Sequence, residues 1–162
     1  MKMKKKIEIT VSLEVIQKSE WSKEDRSLIE RAIHAVEHAH APYSNFMVGT
    51  ALLLDNGQIF SANNQENVSF PVGICAERAV LSYAMGNFPN NRPVKLAVVA
   101  KRRSDSTWAT VTPCGLCRQT INEYEVKFGH PIEILMLNPG EEILKASGID
   151  QLLPFRFNDL NS

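Results

Sequence analysis

Residues 94–137 read VKLAVVAKRRSDSTWATVTPCGLCRQTINEYEVKFGHPIEILML. Val94 to Ala100 is a short apolar run, the pattern of a buried strand. Lys101 to Thr112 is a polar connection. Gly115 to Phe128 has the length of a helix, and Gly129 is placed to stop it. Ile132 to Leu137 is a second strand, ended by Asn138-Pro139-Gly140. Strand, helix and strand in succession point to an α/β fold.

The rest of the chain agrees with that class. Cys75 to Met85 reads as a helix ended by Gly86. Val48 to Leu54 and Gln58 to Ala62 flank Asp55-Asn56-Gly57, and Asn-Gly between two strand-like runs is a strong hairpin signal. Leu28, Ile29, Ala32, Ile33 and Val36 follow helical spacing, with Ser22 as a cap and Asp25 three residues on. That helix should end before Pro42. Asn63 to Ile74 is polar and carries Pro71 and Gly73, so it reads as a loop. Ile7, Ile9, Val11, Leu13 and Val15 alternate, which predicts a half-buried strand. A short helical piece is expected near Ile149 to Leu153. The chain therefore divides into an N-terminal extension over 1–22, holding one strand, and a single domain over 23–162. No repeat, linker or low-complexity segment interrupts it.

Composition excludes several classes. The chain has 162 residues, 44% hydrophobic and 22% charged, which is a globular composition. Eighteen basic residues balance eighteen acidic ones, so no overall field favours nucleic acid or an anionic membrane. No segment approaches the roughly 20 apolar residues of a membrane span. The basic run Met1-Lys2-Met3-Lys4-Lys5-Lys6 lacks the apolar stretch of a signal peptide and reads as a solvated terminus. Three cysteines without a secretion signal argue against a disulfide framework and for a cytoplasmic protein.

Those three cysteines carry the chemistry. Cys75-Ala76-Glu77-Arg78 and Pro113-Cys114-Gly115-Leu116-Cys117 each open a predicted helix. A Cys-x-x-Cys pair at a helix start can place both sulfurs on one metal, and thiolates suit Zn²⁺. With only Cys75, Cys114 and Cys117 available, a fourth position stays open for water, as in a catalytic zinc site. Helix N-termini stabilise thiolates, and Arg78 could hydrogen-bond thiolate sulfur and draw off more charge. Glu77 stands two residues after one ligand, where its carboxylate can reach that water and move its proton. Cys-x-x-Cys alone could equally be a redox pair or a buried pair. The proline before the pair, the glutamate and two helix starts together make chance a poor account, and they match the signature of the zinc nucleobase deaminases, with Cys in the first ligand position.

At these residues the chain resembles the small cytidine deaminases of nucleoside salvage. The resemblance runs from about Glu30 to Leu160. It also rests on Ala41-Pro42-Tyr43-Ser44-Asn45-Phe46-Met47-Val48-Gly49, on Asn64-Gln65-Glu66-Asn67, on Arg118-Gln119 and on Leu152-Leu153-Pro154 with Phe157. It implies a three-layer α/β/α fold with a central mixed sheet of about five strands, and one zinc ion per chain. It further implies that Phe46 packs on a nucleoside, that Asn64 and Glu66 bind its ribose, and that the backbone near Ala76 holds the pyrimidine. Phe157 would stack on a base in a neighbouring subunit of a homotetramer. The implied reaction is hydrolytic deamination of free cytidine and deoxycytidine. The extension over Met1 to Ser22, Phe70 in place of a usual tyrosine, and the stretch Lys101 to Trp108 depart from the family pattern.

Three rival readings are a deaminase of another aminopyrimidine nucleoside such as blasticidin S, an editing enzyme acting on polynucleotide, and a zinc-stabilised binding module. Asn64 and Glu66 favour a ribose over the first. The balanced charge disfavours the second, and the missing fourth ligand beside Glu77 disfavours the third. His34 and His38, one helical turn apart, read as surface residues. Trp21 and Trp108 suggest no function.

Overall fold

The computed structural model describes residues 5–158, so Met1 to Lys4 of the basic run and Leu160 at the end of the resemblance lie outside the described residues. Six strands, β1 (Glu14–Ile16), β2 (Phe46–Leu54), β3 (Ile59–Asn63), β4 (Pro93–Arg102), β5 (Glu133–Leu137) and β6 (Ile143–Ala146), form one sheet in the order β1-β6-β5-β4-β2-β3. β4 and β5 run parallel and every other neighbouring pair is antiparallel. Helix α1 (Lys23–Val36) covers one face. Helices α2 (Ala76–Asn87) and α3 (Gly115–Phe128) cover the other.

Both faces being covered explains why β2 and β4 read as continuous apolar runs. Alternate residues go to opposite cores. Ala51, Leu53, Ala97 and Val99 meet Leu28, Ile29 and Val36 of α1. Leu52, Leu54, Leu96 and Val98 share the second core with Val80, Leu81 and Ile121 of α2 and α3. The seat of α1 on the sheet is close. A Cβ on Gly49 would lie 2.2 Å from the Ala32 carbonyl oxygen and 2.6 Å from the Val36 nitrogen.

The cap of α1 forms as its sequence suggests: Ser22 Oγ accepts from the Asp25 N–H at 3.0 Å. Asp25 does not return the bond to the Ser22 N–H. Its Oδ2 takes the Ser22 hydroxyl at 2.6 Å, and its Oδ1 takes the ammonium of Lys95 at 2.7 Å. Lys95 also meets Glu24 and Glu133, so α1, β4 and β5 are tied by one buried cation. The hairpin turns at Gly57, with φ +81°, and α3 ends at Gly129, whose left-handed conformation lets its N–H reach back to the helix carbonyls.

Four expectations need correction. The strand expected over Ile7 to Val15 is formed only at Glu14–Ile16, because β6 is four residues long and offers no partner further upstream. The apolar positions there are not half-buried: Ile7 is 71% and Val15 55% exposed. The sheet has six strands instead of about five, since Ile143-Leu144-Lys145-Ala146 pairs between β1 and β5. Gly86 does not end α2, which continues to Asn87 and closes with the Phe88 N–H on the Ala84 carbonyl. β4 runs past Ala100 to Arg102, because Lys101 and Arg102 find backbone partners in Met47 and Phe46.

Candidate active site

The site lies where α2 and α3 begin. Cys75 is the N-cap of α2 and Cys114 the N-cap of α3, both in extended backbone conformation. Cys117, in the first turn of α3, is fully buried. The three sulfurs all lie within 4.8 Å of one another, with Cys114 to Cys117 at 3.5 Å and Cys75 to Cys114 at 3.8 Å. Disulfide sulfurs stand at about 2.05 Å, so no bridge joins them. A tetrahedral zinc with Zn–S near 2.3 Å sets its sulfurs about 3.8 Å apart, and the two edges that meet at Cys114 are close to that length. The donor set therefore fits one zinc ion.

The sulfurs are electrostatically unlike one another. Hydrogen bonding to Cys117 draws the Cys75 thiol down to about 6, against the opposing effect of burial, with Cys114 and the charge of Arg78 adding to it. The same contact with Cys75, then burial and the nearby Glu77, push the Cys117 thiol up. The cluster thus holds protons that a metal must displace, and its metal affinity falls in acid.

Glu77, the second residue of α2, is 4% exposed. Burial is the main cause that lifts its carboxyl to about 7; its own backbone N–H opposes the shift and Cys75 adds to it. A carboxyl poised near neutrality can both take and give a proton. It lines a cleft of about 300 Å³ with Cys75 and Cys114 on one side and Phe46, Val48, Asn64 and Glu66 on another; Ser44, Val111 and Thr112 complete the wall. A second pocket of about 370 Å³ shares Ser44 and Glu66 with the cleft and extends over Tyr43, Asn67 and Phe70.

Each residue singled out in the sequence has a definite place. Phe46 begins β2 and forms part of the cleft wall. Asn64 uses its amide on that strand: Oδ1 accepts from the Val48 N–H at 2.8 Å and Nδ2 donates to the Phe46 carbonyl at 2.9 Å. Glu66 accepts from the Ser44 hydroxyl and from the N–H groups of Tyr43 and Ser44. The Ser44 hydroxyl is the main cause that holds its carboxyl below the usual range. Ala76 is fully buried, and its carbonyl accepts from the Thr50 hydroxyl of β2 at 3.1 Å. Arg78 acts on Cys75 by charge, and among the described residues its guanidinium makes no hydrogen bond to sulfur. Phe157 stands apart. It does not line its own chain's cleft, and it is 63% exposed. Phe70 meets Tyr43 edge-on, with centroids 5.7 Å apart.

Three positions were given no role in the sequence, although Ser44 and Arg118 lie in stretches that carry the resemblance. Thr50 fixes the start of α2, Ser44 orients Glu66, and Arg118 ties the loop before Cys114 to the C-terminal tail. A buried hydroxyl in an apolar strand was the one available signal, for Thr50.

A family model described as the cytidine and deoxycytidylate deaminase zinc-binding region matches residues 22–128. A probable cytidine deaminase of Dictyostelium discoideum is 38% identical over 130 residues, covering 80% of this chain and 81% of that protein. A cytidine deaminase of Mycobacterium tuberculosis is 36% identical over 124 residues, 75% of this chain and 87% of the relative. The crystal structure of cytidine deaminase from Burkholderia pseudomallei superposes with a TM-score of 0.69 at 35% identity, covering 82% of this chain and 98% of that one.

Proposed function

The chain belongs to the cytidine and deoxycytidylate deaminase family, and on that premise we propose that it is a zinc-dependent cytidine deaminase, converting free cytidine and deoxycytidine to uridine and deoxyuridine with release of ammonia. The observation that carries this reading is the buried carboxyl of Glu77, set in the cleft wall beside a zinc-sized triangle of sulfurs.

Cys75, Cys114 and Cys117 would hold the zinc ion, whose chemistry there would be to activate a water at neutral pH. Glu77 would take one proton of the attacking water and hand it to pyrimidine N3, which makes C4 electrophilic. After water adds at C4, Glu77 would take the proton of the new C4 hydroxyl and pass it to the amine, which leaves as ammonia. One C–O bond forms and one C–N bond breaks, with no change of oxidation state overall.

The walls support a nucleoside over a nucleotide. Among the described residues, neither the cleft nor the adjoining pocket is lined by Lys or Arg, while the ionised Glu66 faces both. A phosphate there would meet repulsion, whereas sugar hydroxyls can donate to the carboxylate. Phe46 packs on the nucleoside, Asn64 and Glu66 bind its sugar, and the backbone at Ala76 holds the pyrimidine. Arg78 tunes the sulfurs by its charge.

The oligomer proposed is a homotetramer in which Phe157 enters a neighbour's cleft. Its exposure and its absence from the lining of its own chain's cleft support that reading. The catalytic domain spans 23–162 and the extension 1–22. Unbridged thiols fit a cytoplasmic location.

A spectrophotometric assay with cytidine, deoxycytidine, deoxycytidylate, cytosine and blasticidin S tests the function. Fast turnover of both nucleosides is expected, with the free base and the nucleotide poor. Cytosine turned over as well as cytidine, or activity that requires a polynucleotide, would refute the assignment.

A further inference from the structure

Helix α3 carries two cysteines at its start and, over its next two turns, a row of polar side chains that all engage one other segment. Arg118 Nη1 donates to the Leu152 carbonyl at 2.8 Å. Gln119 Nε2 and Asn122 Nδ2 both donate to the Phe157 carbonyl, at 3.0 and 3.1 Å. Glu125 accepts from the Ile149 N–H at 2.8 Å and from Arg156 Nη1 at 3.3 Å. Positions 118, 122 and 125 fall on one helix face, and 119 flanks it.

What the row holds is unusual. From Leu153 to Asn158 the tail has no helix or strand to fix its path. Its aromatic rings do not anchor it, since Phe155 is 71% and Phe157 63% exposed. Two amides therefore grip the backbone of a residue whose ring is kept out of its own core. Asn122 is fully buried, and among the described residues its Oδ1 has no partner. An apolar side chain would fill that place without the unmet carbonyl, so packing alone does not account for an asparagine there. Arg118 adds a second link. Its Nε donates to the Pro113 carbonyl at 2.7 Å and its Nη2 to the Thr112 hydroxyl at 3.3 Å. Thr112 is part of the cleft wall and Pro113 precedes Cys114. One guanidinium thus binds both the tail and the loop that enters the cysteine cluster.

We propose that Arg118, Gln119 and Asn122 are positioning residues that clamp the tail to the metal-bearing helix and hold the Phe157 ring outward, in register for the cleft of a neighbouring copy of this chain. The clamp rests on the shared-site reading above for its purpose, and on the hydrogen bonds for its existence.

Gln119→Glu together with Asn122→Asp removes both donors to the Phe157 carbonyl at nearly constant shape. Gln119→Glu alone, at a half-buried position, serves if the double variant does not fold. In the zinc-loaded protein, hydrogen exchange of the tail amides should quicken roughly tenfold or more. KM for cytidine should rise roughly three- to tenfold, the range a lost aromatic contact gives. The kcat and the zinc per chain should stay as in the unaltered protein, a split that general destabilisation would not produce. Wild-type tail exchange in a folded variant overturns the clamp. Faster exchange with unchanged KM overturns its link to the cleft, provided Phe157→Ala itself raises KM. If Phe157→Ala leaves KM unchanged, the shared-site reading fails instead, and tail exchange alone decides the clamp.

Discussion

Glu77 owes its chemistry to where it is buried. A surface glutamate is fully ionised at neutral pH and has little tendency to return a proton. Under the first turn of α2, with a sulfur cluster beside it, the same carboxyl is lifted to about 7. Replacing it with glutamine keeps size and polarity but ends proton transfer. Glu77→Gln should retain one zinc per chain by elemental analysis and lose roughly 10²- to 10⁴-fold in kcat. Near-normal turnover in that variant would take Glu77 out of the mechanism. This residue and the cysteines were legible in the sequence because few residue types can bind zinc or carry protons, and their spacing on two helix starts is short-range. The roles of Thr50, Ser44 and Arg118 were not legible. Their importance lies in partners 12 to 34 positions away or in a loop geometry, Ala76 for Thr50, Glu66 for Ser44 and Leu152 for Arg118, and nothing in the residue type announces such a partner.

Among the elements, legibility followed the strength of local signals. The long helix α3 begins at Gly115 and ends at Phe128 as read, since a cap and a left-handed glycine bound it. β6 went unread because four residues with a lysine among them give no periodicity, and only pairing on both sides makes them a strand. The reverse error occurred at Ile7 to Val15, where a clear alternation meets no neighbouring strand upstream of Glu14. Helix α1 shows how an element is tied to its sheet by charge. Burial would raise the pKa of Asp25, but the hydrogen bonds and charge of Lys95, with the Ser22 hydroxyl, outweigh it and hold Asp25 below its ordinary 3.8. Lys95 is raised in turn: burial would lower it, and its three carboxylate partners prevail. Since the folded pKa of Asp25 lies below the unfolded one, the stability it brings is complete above pH 3.8 and is lost as pH falls through the folded value. Asp25→Asn should therefore cost about 1–3 kcal/mol at pH 7, read by urea unfolding. That deficit should shrink as the pH is lowered below 4. A gap that stays constant into acid would show that the pair does not stabilise the fold through its charge.

For the whole molecule, the decisive feature is the separation of Glu77 from Phe157. One chain has the proton carrier in its cleft and an exposed aromatic ring, Phe157, that is not among the described residues lining that cleft. If neighbours complete each other's sites, two different defects can be divided between two chains. Phe157→Ala chains keep an intact Glu77 and lack the ring; Glu77→Gln chains keep the ring and lack the carrier. Each homo-oligomer should be impaired, the first mainly at substrate concentrations below its KM. After the two are unfolded or dissociated together and reassembled in equal amounts, random assortment leaves roughly one site in four with both groups intact. Activity at low cytidine should then exceed the average of the two parent preparations. Mixing without subunit exchange supplies the control, because it leaves every site with its parental defect. No gain on exchange, with light scattering showing mixed oligomers, would place all the chemistry within one chain. A fully active monomer would do the same. A gain would locate the complete active site on a pair of chains and make assembly a condition of catalysis.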